Sequence, residues 1–334
     1  MLMASLTFFL SALVIIIAGT FLTHFADQIA ETTGLGRLLI GSILLASATS
    51  LPEIVVDISA VRHGWVNLAV GDLLGSSLFN LLILASIDVC MRPSCKVFSH
   101  LAHRHVLSGL FSLMMTAVMG LALADGRFLT QHEYSHVSYG LWLVLMTYVW
   151  GMRLVFNDQR ASRLEVAASH APSGSPQQSG WALAGFGVCT VVIVLSGPFL
   201  STSAAELADL TGLGKTFVGT TLVACSTSLP ELVSTIAAVR LGAPDLAIGN
   251  IFGSNSFNML ILLPLDALYD GPMLRHVGPE NLITCLATLL ATSAAIIGLA
   301  YRPPRRLALL DPGGGLIVLI VLAALWLVYS STRH

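Results

Sequence analysis

The feature that most constrains this chain is a forty-residue stretch that occurs twice. Residues 41–80 and 219–258 align without a gap at an offset of 178 (231 minus 53), and about half of the aligned positions are identical. Both copies contain T-S-L-P-E followed by G-S-x-x-F-N. A duplicated motif of this length predicts two related halves, and a binding site can form where such halves meet.

The composition predicts a protein that lies in a lipid bilayer and crosses it several times. Of the 334 residues, 55% are hydrophobic and only 10% are charged, whereas soluble domains carry about a quarter charged residues. The net charge of −2 indicates no nucleic-acid partner. The five cysteines are odd in number and scattered, which is typical of packing residues and not of a disulfide framework or metal site.

Ten runs are long and apolar enough to cross the hydrocarbon, which takes about 20 residues. We therefore expect an all-α integral membrane fold with ten transmembrane helices. The first run aligns with the sixth at the same offset and has no basic residue, so we expect a retained helix and not a signal peptide. The runs are Leu2–Leu22, Leu38–Val61, Leu68–Cys90, Val106–Ala124, Ser138–Phe156, Trp181–Leu200, Thr216–Val239, Leu246–Leu268, Leu282–Ala300 and Gly315–Tyr329.

The ten helices divide into two five-helix halves, residues 1–156 and 181–334. Because five is odd, the second half must begin on the opposite side of the membrane, which predicts an inverted repeat. The polar segment 157–180 is predicted to be a flexible linker. Eleven of the sixteen Lys and Arg residues fall in loops on the linker's side, so we expect that side to be cytoplasmic. We expect the protein to lie in the inner (plasma) membrane, with both termini on the outer side.

Each copy of the motif carries a glutamate inside a predicted membrane helix. A carboxylate there costs at least a few kcal/mol, so two at equivalent positions, Glu53 and Glu231, indicate a function; the alternative is a pair of structural carboxylates. Pro52 and Pro230 remove a helix hydrogen bond just before them and predict broken helices 2 and 7. Hydroxyls precede each glutamate by one turn, either as further ligands or as ordinary helix-packing contacts.

The G-S-x-x-F-N segments add uncharged oxygens. Ser76 and Asn80 lie four residues apart and share one helix face, as do Ser254 and Asn258. Oxygen ligands select hard cations, and Ca²⁺ takes about six to eight of them. Two carboxylates would neutralise one divalent ion.

The duplicated motif resembles the repeats of the cation/calcium exchanger superfamily, and among its branches the prokaryotic sodium/calcium exchangers. The resemblance implies alternating access, with the first and sixth helices sliding against the other eight. It also implies cation coordination by carboxylates, hydroxyls, amides and two alanine carbonyls: Ala46, Thr49, Ser50, Glu53, Ser76, Asn80, Ala224, Thr227, Ser228, Glu231, Ser254 and Asn258.

The sequence departs from the pattern of this family at one position, and several polar positions differ between its two copies. Some members have an aspartate where this chain has Asn258. Asp57 and Asp72 have no acidic counterparts in the second copy, where Thr235 and Asn250 stand, and Ser77 stands where the second copy has Asn255. Asp57 follows Glu53 by four residues, so it either lines the ion path or is a buried spectator.

The function expected from these features is secondary active antiport that exchanges Ca²⁺ for Na⁺. Burial disfavours a charged carboxylate, so Glu53 and Glu231 could instead carry protons in a Ca²⁺/H⁺ antiporter. An intramembrane aspartyl protease built on Asp57 and Asp72 is a rival of another class, although Ala69 stands where its motif needs glycine, and a channel is a third alternative. We expect no enzymatic activity and no cofactor besides the transported Ca²⁺ and Na⁺ or H⁺. A monomer would suffice.

Overall fold

The computed structural model describes residues 1–90, 105–166, 176–210, 224–300 and 312–331, and most of them are helical. The helices are α1 Leu2–Thr33, α2 Arg37–Thr49, α3 Leu51–Arg62, α4 Val66–Cys90, α5 Val106–Asp125, α6 Phe128–Gln131, α7 Tyr139–Val166, α8 Pro176–Leu210, α9 Leu229–Arg240, α10 Pro244–Leu268, α11 Pro279–Ala300 and α12 Pro312–Ser331. A helical turn, 224–227, precedes α9. An antiparallel hairpin of β1 (Glu133–Tyr134) and β2 (Val137–Ser138) and a 3-10 turn, Met273–His276, complete the elements.

The described helices confirm a mostly helical protein of the membrane class. Seven of them are long and apolar enough to cross a membrane, and the number is eight if the bent pair α2 and α3 is counted as one span. The apolar part of α12, Gly314–Val328, is shorter than these. The predicted seventh run, 216–239, is described only from residue 224 onwards.

Several predicted boundaries are wrong because polar residues continue the helices beyond their apolar runs. The first run was expected to end at Leu22, but α1 continues to Thr33 and stops at Gly34, whose φ of 62° is left-handed and favours glycine. The predicted linker 157–180 is helical at both ends, since α7 runs to Val166 and α8 begins at Pro176. Residues 167–175 of this linker lie outside the described residues.

The two motif helices break at equivalent serines, as the prolines predict. Ser50 separates α2 from α3, which are bent by 40°. Ser228 likewise separates the turn 224–227 from α9. Pro52 and Pro230 stand in the first turn of the following helix, where proline's missing N–H has no partner to lose.

The motif helices lie at the centre of the protein and the first helix of each half lies outside them. The apolar window of α10 is 83% buried, whereas those of α1 and α8 are each 22% buried, and α1 and α8 pack along each other. Small residues allow α2 and α10 to touch: a Cβ at Gly41 would lie 2.5 Å from the Leu246 carbonyl oxygen, and one at Gly249 would lie 2.7 Å from that of Leu38. This backbone contact brings the two motifs together.

Candidate functional site

All twelve residues predicted to bind a cation are described and buried. None is more than 8% exposed, and most are fully enclosed. One set lies on α2, α3 and α4 around the break at Ser50, and the other lies on the turn 224–227, α9 and α10 around the break at Ser228. The fold therefore gathers the breaks of both halves into one polar region inside the bundle.

The two glutamates begin the second segment of each broken helix and are each 1% exposed. The Ser50 hydroxyl donates to Oε1 of Glu231 at 3.0 Å, a contact between the two halves. Within the described ranges, three carboxylate oxygens have no hydrogen-bond partner: both oxygens of Glu53 and Oε2 of Glu231. The two carboxylates are close enough to interact electrostatically. Buried oxygens are almost always satisfied, so these atoms are suited to a cation.

The hydroxyls of the two breaks make equivalent contacts with the opposite half. Thr49 donates to Oδ1 of Asn250 at 3.4 Å, and its equivalent Thr227 donates to Oδ1 of Asp72 at 3.2 Å. The Ser76 and Thr227 hydroxyls are 3.3 Å apart. Each broken helix is thereby tied to the long motif helix of the other half.

The amides of the two G-S-x-x-F-N segments also pair across the halves. Asn80 donates its Nδ2 to Oδ1 of Asn255 at 3.0 Å, and Asn258 donates its Nδ2 to Ser77 Oγ at 3.3 Å. The Oδ1 atoms of Asn80 and Asn258 have no partner in the part of the chain that the structure describes. These amides are therefore held by their nitrogens, while their carbonyl oxygens remain available for a cation.

The alanine carbonyls are the predicted ligands that fit least well. The oxygen of Ala46 accepts the Ser50 N–H at 3.1 Å and the Thr49 hydroxyl at 3.2 Å. The oxygen of Ala224 accepts the Ser228 N–H and the Thr227 hydroxyl, both at 3.0 Å. A cation would have to compete with these hydroxyls for the carbonyl oxygens. Ser228 Oγ, by contrast, has no partner among the described residues.

Four further polar residues join this region, although the motif comparison treated them only as differences between the copies. They are Asp72, Ser77, Asn250 and Asn255, all buried. The sequence contained a signal for two of them: Asp72 precedes Ser76 by four residues, so the shared helix face extends by one more turn, and Asn250 stands at the same place before Ser254. Asp57 is also fully buried on α3.

The chemistry of this region is that of a site for hard cations. Its donors are carboxylate, hydroxyl and amide oxygens, and two glutamates supply a charge of −2. Across the described ranges, no group of three His, Cys, Asp or Glu side chains could hold a metal ion. A cation bound here would therefore depend on neutral oxygens as well as on the two glutamates, and we treat such an ion as transported cargo.

Comparison with known proteins identifies relatives over nearly the whole chain. A family model described as sodium/calcium exchanger protein matches residues 3–155 and 181–333. The chain is 28% identical over 331 residues to the inner membrane protein YrbG of Escherichia coli, and the alignment covers 96% of this chain and 97% of that protein. It is 26% identical to the sodium/calcium exchanger MaX1 of Methanosarcina acetivorans, with 78% and 81% covered.

The fold also has a counterpart among solved structures. The sodium-calcium exchanger NCX_Mj, soaked with Na⁺ and Sr²⁺, superposes with a TM-score of 0.72 over 97% of this chain and 98% of the other. The two sequences are only 16% identical, so this similarity concerns the fold alone.

Proposed function

This chain belongs to the sodium/calcium exchanger family, and on that premise we propose that it moves Ca²⁺ across the membrane by antiport against Na⁺. The family is one of transporters, and its name implies Ca²⁺ and Na⁺ as the transported ions. The observation that carries the proposal is the convergence of Glu53 and Glu231. Each follows a helix break, each is 1% exposed, and together they have three carboxylate oxygens without a partner in the described part of the chain.

The charges of the two glutamates suit one Ca²⁺. Two glutamates offset a divalent ion, and the uncharged oxygens around them raise the ligand number towards the six to eight that Ca²⁺ takes. Besides the glutamates, the proposed ligands with unpartnered oxygens are Asn80, Ser228 and Asn258. The remaining proposed ligands are Thr49, Ser50, Ser76, Thr227, Ser254 and the carbonyls of Ala46 and Ala224.

We also propose ten transmembrane helices arranged as two inverted five-helix repeats. The reciprocal contacts support this: the Thr49–Asn250 and Thr227–Asp72 bonds join equivalent residues with the halves exchanged, which is the signature of a two-fold relation. With an odd number of helices per half, the axis lies in the membrane plane and the site lies near the midplane. In this arrangement the linker 157–180 faces the cytoplasm and both termini face outward.

Alternating access would come from sliding of α1 and α8. These two helices pack on each other and are the least buried of the candidate spans. Both approach the motif helices through glycine: a Cβ at Gly197 would lie 2.6 Å from Pro52 Cβ, and one at the equivalent Gly19 would lie 3.1 Å from Val233 Cγ1. A glycine at each contact lets the moving helix lie close against the motif helix, and the contacts lie one turn or less from the glutamates.

The proposed coupling to Na⁺ is tested by transport of radioactive Ca²⁺ into vesicles that contain the purified protein. A Na⁺ gradient and a pH gradient are imposed separately, with the membrane potential clamped. We expect the Na⁺ gradient alone to drive Ca²⁺ transport. Transport driven only by the pH gradient would instead identify a Ca²⁺/H⁺ antiporter, and Ca²⁺ flux that follows its own gradient without a counter-ion would indicate a channel.

A further inference from the structure

The membrane-embedded region contains two aspartates that the proposed Ca²⁺ site does not use. Asp57 lies on α3 one turn after Glu53, and Asp72 lies on α4 one turn before Ser76; they are 0% and 3% exposed. Among the described residues, three oxygens of this pair have no hydrogen-bond partner: both oxygens of Asp57 and Oδ2 of Asp72. No Lys or Arg of the described ranges pairs with either one.

The equivalent positions of the second half show how these two residues face each other. Asn250 donates its Nδ2 to Ser234 Oγ at 2.9 Å and to Thr235 Oγ1 at 3.4 Å, so a hydrogen bond joins Asn250 and Thr235. Asp57 is the equivalent of Thr235 and Asp72 that of Asn250, and the two aspartates are close enough to interact electrostatically. Ionised carboxylates only accept hydrogen bonds, so Asp57 and Asp72 cannot form the hydrogen bond that joins Asn250 and Thr235.

When two neighbouring carboxylates inside a membrane protein are both ionised, a partner of opposite charge stabilises them, since it offsets their desolvation and mutual repulsion. We propose that Asp57 and Asp72 form a second Ca²⁺ site beside the site of the two glutamates. Their combined charge of −2 matches one divalent ion, and carboxylate oxygens are the ligands that hard cations prefer. This inference rests on the proposed function, because the ion is the one that the protein transports.

The position of this second site gives it a role along the path. Asp57 lies between Glu53 and the Arg62 end of α3, which faces outward in the proposed orientation. Thr227 donates to Asp72 and is also a proposed ligand of the first site, so its hydroxyl connects the two. On the opposite side, Thr235 and Asn250 offer no charge. The second site therefore gives Ca²⁺ a binding step on one side of the membrane only.

Equilibrium binding of radioactive Ca²⁺ to the purified full-length chain tests the proposal. We expect two Ca²⁺ per chain in the natural protein and one in Glu53→Gln/Glu231→Gln. Adding Asp57→Thr/Asp72→Asn, which copies the neutral pair of the second half, should remove the last ion. Asp57→Thr/Asp72→Asn alone should bind one. Glu133→Gln/Asp270→Asn, which removes two exposed carboxylates, is the matched control and should still bind two.

The outcomes separate this inference from the proposed function. One Ca²⁺ in the natural protein and none in Glu53→Gln/Glu231→Gln would overturn the second site and leave the first intact. No Ca²⁺ in the natural protein would contradict the proposed function itself. If the double aspartate variant does not fold, Asp57→Asn keeps the shape and removes one charge; the Ca²⁺ dissociation constant of the second site should then rise by roughly 10²- to 10⁴-fold, and an unchanged constant would overturn the proposal.

Discussion

Replacement of either glutamate by glutamine tests the central site, because the amide keeps the size and one oxygen of the carboxylate and removes only its charge. Both side chains are 1% exposed, so water cannot solvate the bound ion in place of the lost carboxylate charge. Removing one partner from a buried charge pair costs about 3–5 kcal/mol, which corresponds to a loss of roughly 10²- to 10⁴-fold in affinity. We therefore expect Glu53→Gln and Glu231→Gln each to abolish Ca²⁺ exchange.

The assay is Na⁺-driven transport of radioactive Ca²⁺ in vesicles, together with Ca²⁺ binding to the purified variants. The double variant should be no worse than either single one in transport, since residues that act as one unit are not additive. Glu133→Gln makes the same chemical change at an exposed position and should transport normally. A correctly folded Glu53→Gln or Glu231→Gln protein with near-normal Ca²⁺ affinity and transport would refute the shared site for that residue.

Three further predictions follow from the arrangement of the helices. Cysteines introduced within residues 167–175 should react only with cytoplasmic reagents and cysteines at both termini only with external ones; a terminus on the same side as 167–175 would contradict the inverted repeat. Gly197→Leu should stop transport because the leucine side chain would overlap the proline of the first motif. The control Gly187→Leu should transport normally, since a Cβ at this position has no atom within 4 Å. Equal transport rates of the two variants would refute sliding at this contact. The buried Asp266 carboxylate accepts hydrogen bonds from two backbone N–H groups, so Asp266→Asn should lower the free energy of unfolding by about 1–3 kcal/mol. Thermal denaturation measures this change, and the control Asp270→Asn, at an exposed position, should have no effect. Equal stability of both variants would contradict this role.

The family could be predicted from the sequence, and the two motifs could be expected to meet, because the signal is local and duplicated. A glutamate after a proline inside an apolar run indicates a broken helix with a charge, and the second copy makes coincidence unlikely. The spacing of four residues placed Ser76 with Asn80 on one face without any tertiary information. Burial of Glu53 and Glu231 likewise followed from their positions within membrane-length apolar runs.

Helix extent was less predictable, since hydropathy marks where a helix leaves the hydrocarbon and not where its hydrogen bonds end. For this reason α1 continues to Thr33, where a left-handed Gly34 stops it. For the same reason α7 and α8 extend into the expected linker.

Which residues meet across the two halves was decided only by the tertiary structure. The sequence by itself determined two equivalent sets of oxygens, but the pairing of Thr227 with Asp72, 155 residues apart, depends on how α4 and the second break cross. The same crossing distinguishes two pairs of equivalent positions: a hydrogen bond joins Asn250 and Thr235, whereas two ionised carboxylates at Asp57 and Asp72 cannot form one. The physical reason is that hydrophobic patterning specifies a buried face, while the contacts of each polar atom depend on backbone approach, here the touching glycines of α2 and α10.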